Sequence, residues 1–327
     1  MVLTGGSEMY FPYLRGRQFE LLAVRELVNN SLIGEHVFPV IEPVHLTSTL
    51  VKTLEICRSK GHKIGIVMNP QVGNFTNDLN DSSNSILIKR YQDFISSAGE
   101  AVVPVYILND SNMNPFAKLP NFEGKLITVC ETSDALQFFT RLSDEERASI
   151  CYNLIPDESR FRRGTRACNN VVFEDNFHKQ DKNADYAQPS VVDEPYTDEY
   201  KFYSLDGFKG FGDYSIVGKA YNDSGFAPYA VAIHIVYPTN DELRIHHFVS
   251  DSNDDITDVA GKFGEAVEKL AEWNQSRGEK CLNTYGMREF EHLYHTKTFP
   301  GLGVVKKLSI MHHLELMEKL DKEEDAK

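Results

Sequence analysis

The chain is poor in cysteine, and its cysteines follow no pattern. Five occur in 327 residues, with no C-x-x-C pair among them. An odd number of widely spaced cysteines excludes a disulfide framework and the common zinc and redox motifs. Cysteines within apolar runs act as small hydrophobic residues. We therefore expect a reduced protein of the cytoplasm.

Long apolar runs and positive charge are also lacking. No stretch approaches the roughly 20 apolar residues that cross a bilayer. The chain has 34 Lys and Arg against 48 Asp and Glu, a formal net charge of -14. This charge opposes attraction to nucleic-acid phosphates and anionic lipids. We expect neither a membrane protein nor a general nucleic-acid binder.

Several catalytic signatures are missing as well. The G-x-G-x-x-G and G-x-x-x-x-G-K-[ST] patterns, the G-x-S-x-G turn and the H-E-x-x-H zinc pattern do not occur. Covalent acyl-enzyme chemistry is therefore not expected. The composition, 41% hydrophobic and 25% charged, is that of a globular protein able to bury a large core.

Short β-branched or aromatic runs alternate with amphipathic segments over the first half of the chain. The runs predict seven strands: Tyr10–Leu14, Val37–Glu42, Lys63–Asn69, Val102–Leu108, Leu126–Glu131, Ile150–Ile155 and Val171–Glu174. The segments between them predict helices, among them Arg17–Asn29, Leu50–Lys60 and Ala135–Arg141. Thr47 or Ser48 can cap the second of these helices, and Ser133 or Asp134 can cap the third. This alternation is typical of a parallel sheet with both faces covered, either doubly wound or closed into a (β/α)8 barrel.

Polar residues at many strand ends favour the barrel, because a barrel builds its site from loops at the carboxyl ends of all its strands. They are Glu42, Asn69, Asn109, Glu131, Asp157 and Glu174. An eighth strand is expected at Asp213–Val217, after a long polar stretch, 179–201. We predict an α/β, (β/α)8 TIM-barrel-like fold over residues 10–218.

The remaining residues, 219–327, predict an antiparallel hairpin and helices packed on the barrel within a single domain. The hairpin strands are Tyr229–Tyr237 and Leu243–Ser250, and the helices are Ala260–Gln275, Arg288–His295 and Ile310–Lys322.

Four segments together resemble a known family. They are "MYFPYLRGRQFELLAVREL", "VFPVIEPV", "VVFEDNFHKQDKNADY" and "GFGDYSIVG". Over about residues 10–251 the chain is similar to the uncharacterised bacterial and phage group of beta family proteins. The resemblance implies a TIM-barrel-like fold and a place in a phage-defence module. It implies no catalytic residues.

The strand-end carboxylates Glu42, Glu131 and Glu174, with Asp175, are the first candidate site. Converging carboxylates can hold a divalent metal such as Mg²⁺ or Mn²⁺, or can divide into an acid and a base. The alternative is a set of ion-paired or helix-capping groups.

The segment "FEDNFHKQDKNADY" is the second candidate. His178 can act as a general base or metal ligand, and Lys179 can bind an anion. We expect residues 176–186 to be ordered over the barrel mouth, because Phe177 and Tyr186 can anchor the two ends.

Two further groups complete the candidates. Gly210 and Gly212 can let backbone amides approach a phosphate, and Arg15 can clamp an anion. His234 can meet His246 or His247 across the hairpin, as a metal site, a proton shuttle or a structural pair.

Two functions from different classes fit these residues. The first is an enzyme acting on a phosphorylated or nucleotide-like small molecule, with or without a divalent metal. The second is a non-catalytic barrel that binds a protein partner in a defence or toxin-related system. Convergence of the candidate groups on one pocket would favour the enzyme.

Overall fold

The computed structural model describes residues 9–97, 99–109, 125–222 and 228–325. These residues divide into two compact units. The barrel unit contains the described residues of 1–175 and 199–214, and the sheet unit contains those of 176–198 and 215–327. The division expected after residue 218 therefore differs from the observed one, since 176–198 belongs to the sheet unit.

The barrel unit alternates strands and helices along the chain. Its strands are β1 (Tyr10–Leu14), β2 (Val40–Ile41), β3 (Ile64–Val67), β4 (Val102–Ile107), β5 (Leu126–Val129), β6 (Ile150–Ile155), β7 (Asn170–Glu174) and β9 (Phe211–Asp213). Its helices are α1 (Gln18–Asn29), α2 (Ser48–Ser59), α3 (Phe75–Asp78), α4 (Ser85–Ser96), α5 (Ser133–Thr140), α6 (Asp144–Ala148), α7 (Ser159–Gly164) and α8 (Glu199–Phe202).

The eight strands form a closed parallel barrel, in which β1 pairs with both β2 and β9. The predicted TIM-barrel-like fold is confirmed. The predicted cap of α2 is also confirmed, because Thr47 Oγ1 accepts a hydrogen bond from the Leu50 amide at 3.1 Å. In α5 the cap is Thr132 rather than the predicted Ser133 or Asp134.

The eighth strand lies two residues earlier than predicted. It spans Phe211–Asp213, and Ser215–Val217 is a 3-10 helix. Ser215 has a φ of 50°, a left-handed conformation that cannot continue an extended strand. The prediction of a strand at Asp213–Val217 was therefore wrong in its position.

Aromatic side chains fill the barrel interior where glycines leave room for them. Phe11, Phe38 and Phe173 belong to the buried interior cluster. A Cβ on Gly65 would lie 3.3 Å from the Phe38 ring, and one on Gly212 would lie 3.2 Å from the Phe173 ring. The barrel is thus a packed core, as is usual for this architecture.

The sheet unit is built on a three-stranded antiparallel sheet. Its strands are β8 (Asp193–Thr197), β10 (Ala232–Pro238) and β11 (Leu243–Val249), in the order β10-β11-β8, and its helices are α9 (Val259–Ser276), α10 (Tyr285–Thr296) and α11 (Leu302–Asp325). The predicted hairpin and its three helices are present. Strand β8 was not predicted.

Among the described residues, no helix has both the length and the apolar character needed to cross a membrane.

Replacing Gly212 by alanine tests the packing of the barrel. The new Cβ would lie 2.6 Å from the backbone oxygen of Phe11, so β9 or β1 must shift. We expect Gly212→Ala to lower the free energy of unfolding by about 1–3 kcal/mol. Denaturant unfolding followed by far-UV circular dichroism measures this change.

Gly264→Ala is the matched control. Gly264 lies within α9, and a Cβ there would have no atom within 4 Å. This variant should be unchanged or slightly more stable, because alanine favours a helix. Equal stabilities for the two variants would contradict the packing argument.

Candidate functional site

The carboxyl end of the barrel gathers several of the predicted residues because strand side chains alternate in direction. Phe11 and Tyr13 face the interior, and so do Ile127 and Val129. Continuing each series by two residues places Arg15 and Glu131 at the carboxyl end on the same side. The alternation therefore places these polar groups next to the apolar core, at the carboxyl end of the barrel.

Glu42 is the most completely bonded carboxylate at this end. It is fully buried. Its Oε2 accepts from Tyr13 OH at 2.8 Å and forms an ion pair with Arg15. Its Oε1 accepts a hydrogen bond from the backbone amide of Gln71 at 2.7 Å. Glu42 therefore holds the barrel end together.

Arg15 is held in its charged form by this arrangement. Burial works against the charge, but Glu42, Tyr13 and Tyr214 together outweigh burial and raise the pKa of the guanidinium. The guanidinium carbon lies 5.3 Å from the Tyr13 ring centroid and 5.2 Å from that of Tyr214, within the range of a cation–π contact.

Tyr214 connects this group to Glu131. Its hydroxyl donates to Glu131 Oε2 at 2.7 Å, and its ring packs 5.1 Å from Tyr13 and 4.8 Å from Phe173. Burial and the Glu131 carboxylate raise the pKa of the Tyr214 phenol, so this hydroxyl keeps its proton and acts as a donor.

Glu174 stands at the end of β7 and is half-buried. Burial raises the pKa of its carboxyl, and the nearby Asp157, Glu131 and Glu158 add to the rise, while a hydrogen bond from the Asp157 amide at 2.8 Å opposes it. Glu174 therefore holds its proton to a higher pH than an ordinary glutamate.

The remaining candidates lie elsewhere. Asp175 is exposed. His178 and Lys179 belong to the sheet unit, where His178 Nδ1 lies 3.0 Å from Glu194 and Lys179 Nζ donates to the Ala220 carbonyl at 3.4 Å. Asn69 bonds both backbone groups of Ile107 and so joins β3 to β4.

Gly210 and Gly212 are packing positions rather than members of an open loop. A Cβ on Gly210 would lie 2.6 Å from the Met9 carbonyl oxygen, and Gly212 lies within β9. Their role in approaching a phosphate stays a prediction, and both glycines lie against β1 backbone or side chains.

Sequence reasoning missed Tyr13 and Tyr214 as members of this group. Both were assigned to strands only, although the two-residue spacing of Phe11, Tyr13 and Arg15 was a usable signal. Tyr13 lies one step below Arg15 on the same face, and its hydroxyl donates to Glu42, the ion-pair partner of Arg15.

The sheet unit contains the histidine pair expected from the hairpin. His234 and His247 are cross-strand partners, and their Nδ1 atoms lie 2.7 Å apart. His247 Nε2 lies 3.4 Å from Glu194 Oε1. Burial lowers the pKa of both imidazoles to about 3. The pair is therefore neutral at pH 7, with one ring donating to the other.

Residues 176–186 belong to the sheet unit, and their expected position over the barrel mouth stays a prediction. Phe177 and Tyr186 are buried, with ring centroids 5.9 Å apart, and Asn183 Nδ2 donates to the Ala230 carbonyl at 2.8 Å. Both aromatic rings contact His234, at 5.1 and 4.6 Å. The segment is therefore anchored inside the sheet unit.

Within the described ranges, no group of three or more His, Cys, Asp or Glu side chains is arranged to hold a metal ion.

Comparison of the chain with protein-family models, with curated proteins and with solved structures finds no match. The resemblance to beta family proteins therefore stays a prediction.

Glu42→Gln tests the ion pair at the barrel end. The substitution removes the negative charge that Glu42 places beside Arg15, whose side chain is only 12% exposed. We expect a loss of about 3 kcal/mol in the free energy of unfolding. Asp144→Asn, which breaks the surface pair with Arg147, should cost less than about 1 kcal/mol. Similar losses in the two variants would show that the buried pair contributes no more to stability than the surface pair does.

Acid should unfold the sheet unit through its buried histidines. Burial lowers the pKa values of His234, His247 and His313 to about 3 and that of His312 to about 4. Below about pH 6.5 the unfolded chain binds protons that these side chains do not bind in the folded state. Stability then falls as the pH drops from about 6.5 towards 4, by roughly 5 kcal/mol per pH unit for the four groups.

The fluorescence of Trp273, the single tryptophan and a residue of α9, reports this unfolding. His313→Leu should reduce the slope by about 1.4 kcal/mol per pH unit. His295→Gln, at a 61% exposed position, should leave it unchanged. A slope that is unchanged in His313→Leu would mean that folding does not lower the pKa of this imidazole.

Proposed function

We propose that the barrel unit is an enzyme that performs acid–base chemistry on a small molecule at the carboxyl end of the barrel. Two carboxyl groups in different surroundings support this proposal. Burial raises the pKa of Glu174, whereas the neighbouring Glu131 accepts a hydrogen bond from Tyr214. Such a division of environments is how enzymes obtain a proton donor and a proton acceptor from two carboxyl groups.

Each residue then has a distinct part. Protonated Glu174 donates a proton to the substrate, and the Glu131 carboxylate accepts one. Tyr214 orients Glu131 through its hydroxyl. Arg15 and Glu42 are positioning residues, because their contacts with Tyr13 and Tyr214 hold the aromatic rings beside Glu131.

The phosphorylated or nucleotide-like substrate expected from the sequence stays a prediction, as does any divalent metal.

The protein-binding alternative and a place in a phage-defence module also stay predictions. The convergence of Arg15, Glu42, Tyr214 and Glu131 at one end of the barrel is the observation that favours an enzyme over a binding module.

A panel of chromogenic esters, phosphates and glycosides tests the proposal. We expect turnover of one of these three classes, with Glu131→Gln and Glu174→Gln each lowering kcat by about 100-fold or more. Both variants should keep the wild-type melting temperature within about 3 °C, since neither removes packed volume. Glu55→Gln, a surface variant that loses only the pair with Arg90, is the control and should keep full activity.

The protonation of Glu174 can be measured without any substrate. Carbon-13 NMR of protein labelled at glutamate, with the signal assigned by its loss in Glu174→Gln, should show this carboxyl titrating above its usual range. A Glu174 pKa at or below 4.5, or activity that survives both substitutions, would remove the acid–base pair.

A further inference from the structure

A pocket of about 350 Å³ opens at the amino-terminal end of the barrel, away from the carboxylates. Its walls are the loop between α1 and β2, from Ser31 to Val37, and the loop between α2 and β3, from Lys60 to Lys63. Gly34 and Gly61 lie in these walls and leave the opening free of side chains at two positions. The pocket belongs entirely to the barrel unit.

The floor of the pocket is apolar and includes flat rings. Met9, Phe38 and Tyr152 line it, and all three pack against the interior cluster or belong to it. Phe11 supports the floor from below, with its ring 5.4 Å from Phe38 and 5.1 Å from Tyr152. Phe38 is only 4% exposed, so the partly exposed Tyr152 is the ring that a ligand can stack on, and its contact with Phe11 holds it in place.

Tyr152 adds a hydrogen-bond donor to this floor. Burial raises the pKa of its phenol, so the hydroxyl stays protonated at neutral pH. A protonated phenol can donate to an anion, whereas a phenolate would repel it.

The rim is basic in an otherwise acidic chain. Lys60 and Lys63 are exposed at the opening, with His62 between them, and Glu35 is the acidic residue among the lining groups. Lys125 lies near Lys63, since the charges of both lysines lower the pKa of the Cys151 thiol, next to Tyr152. The two lysines at the opening, Lys60 and Lys63, contrast with a net charge of -14 for the chain.

We propose that this pocket binds a small anion with a flat aromatic body. The ring of the ligand stacks on Tyr152, and its charged group lies between Lys60 and Lys63. Lysine binds anionic groups through its charge without the planar geometry of arginine, so a sulfonate, carboxylate or phosphate meets the requirement. The site is separate from the acid–base pair and does not depend on it.

The probe is 8-anilinonaphthalene-1-sulfonate, an aromatic sulfonate whose fluorescence rises on binding. We expect the wild-type protein to bind it with an affinity that falls as salt is added. The double variant Lys60→Gln/Lys63→Gln should bind it about tenfold more weakly. The control Lys52→Gln/Lys89→Gln removes two exposed lysines of α2 and α4 and should bind as the wild type does.

Two competitors separate the parts of the proposal. N-phenyl-1-naphthylamine, which has the rings without the charge, and sulfate, which has the charge without the rings, should each displace the probe poorly. Wild-type affinity in the lysine variant would overturn the proposal. So would equal displacement by the uncharged amine, which indicates an apolar site, or by sulfate, which indicates a bare anion site.

Discussion

The ion pair between Arg15 and Glu42 is the interaction on which the carboxyl end of the barrel depends. Two charges removed from water are stable only when their attraction is supplemented by further hydrogen bonds. Tyr13 and the Gln71 amide provide these bonds to Glu42. Arg15 lies against the Tyr13 and Tyr214 rings, and the Tyr214 hydroxyl donates to Glu131. A series of side-chain contacts thus connects the end of β2 to the end of β5, and it includes one buried ion pair.

The barrel could be predicted because its strands carry local signals. Tyr10–Leu14 and Ile150–Ile155 were predicted with their observed bounds, since each is a compact, mainly apolar or aromatic run. Strand β8 carries no such signal, because Asp193–Thr197 reads "DEPYT" and lies in a polar stretch. Its pairing partner β11 is some 50 residues away in the chain, so only the tertiary fold specifies it.

The candidate site could be predicted in part for a related reason. Glu42 and Glu131 each end an apolar run, and strand direction alone brings them to one end of a parallel barrel. Tyr13 and Tyr214 have the composition of core residues, and their hydroxyl contacts depend on how β1 and β9 meet when the barrel closes. His178 was grouped with Glu174 because they are neighbours in sequence, yet the boundary between the two units falls between them.

The order in which the strands occur in the chain has a consequence for synthesis on the ribosome. The sheet unit draws β8 from a segment that interrupts the barrel unit between β7 and β9, while β10 and β11 follow the last barrel strand. During translation, β8 emerges before its antiparallel partner β11 exists. The barrel can close once residue 213 has left the exit tunnel, since domains fold as units in the order of synthesis. Until β11 is synthesised, the inserted segment has no strand to pair with, and Phe177 and Tyr186 are not yet buried. The nascent chain therefore carries an exposed strand edge during this interval.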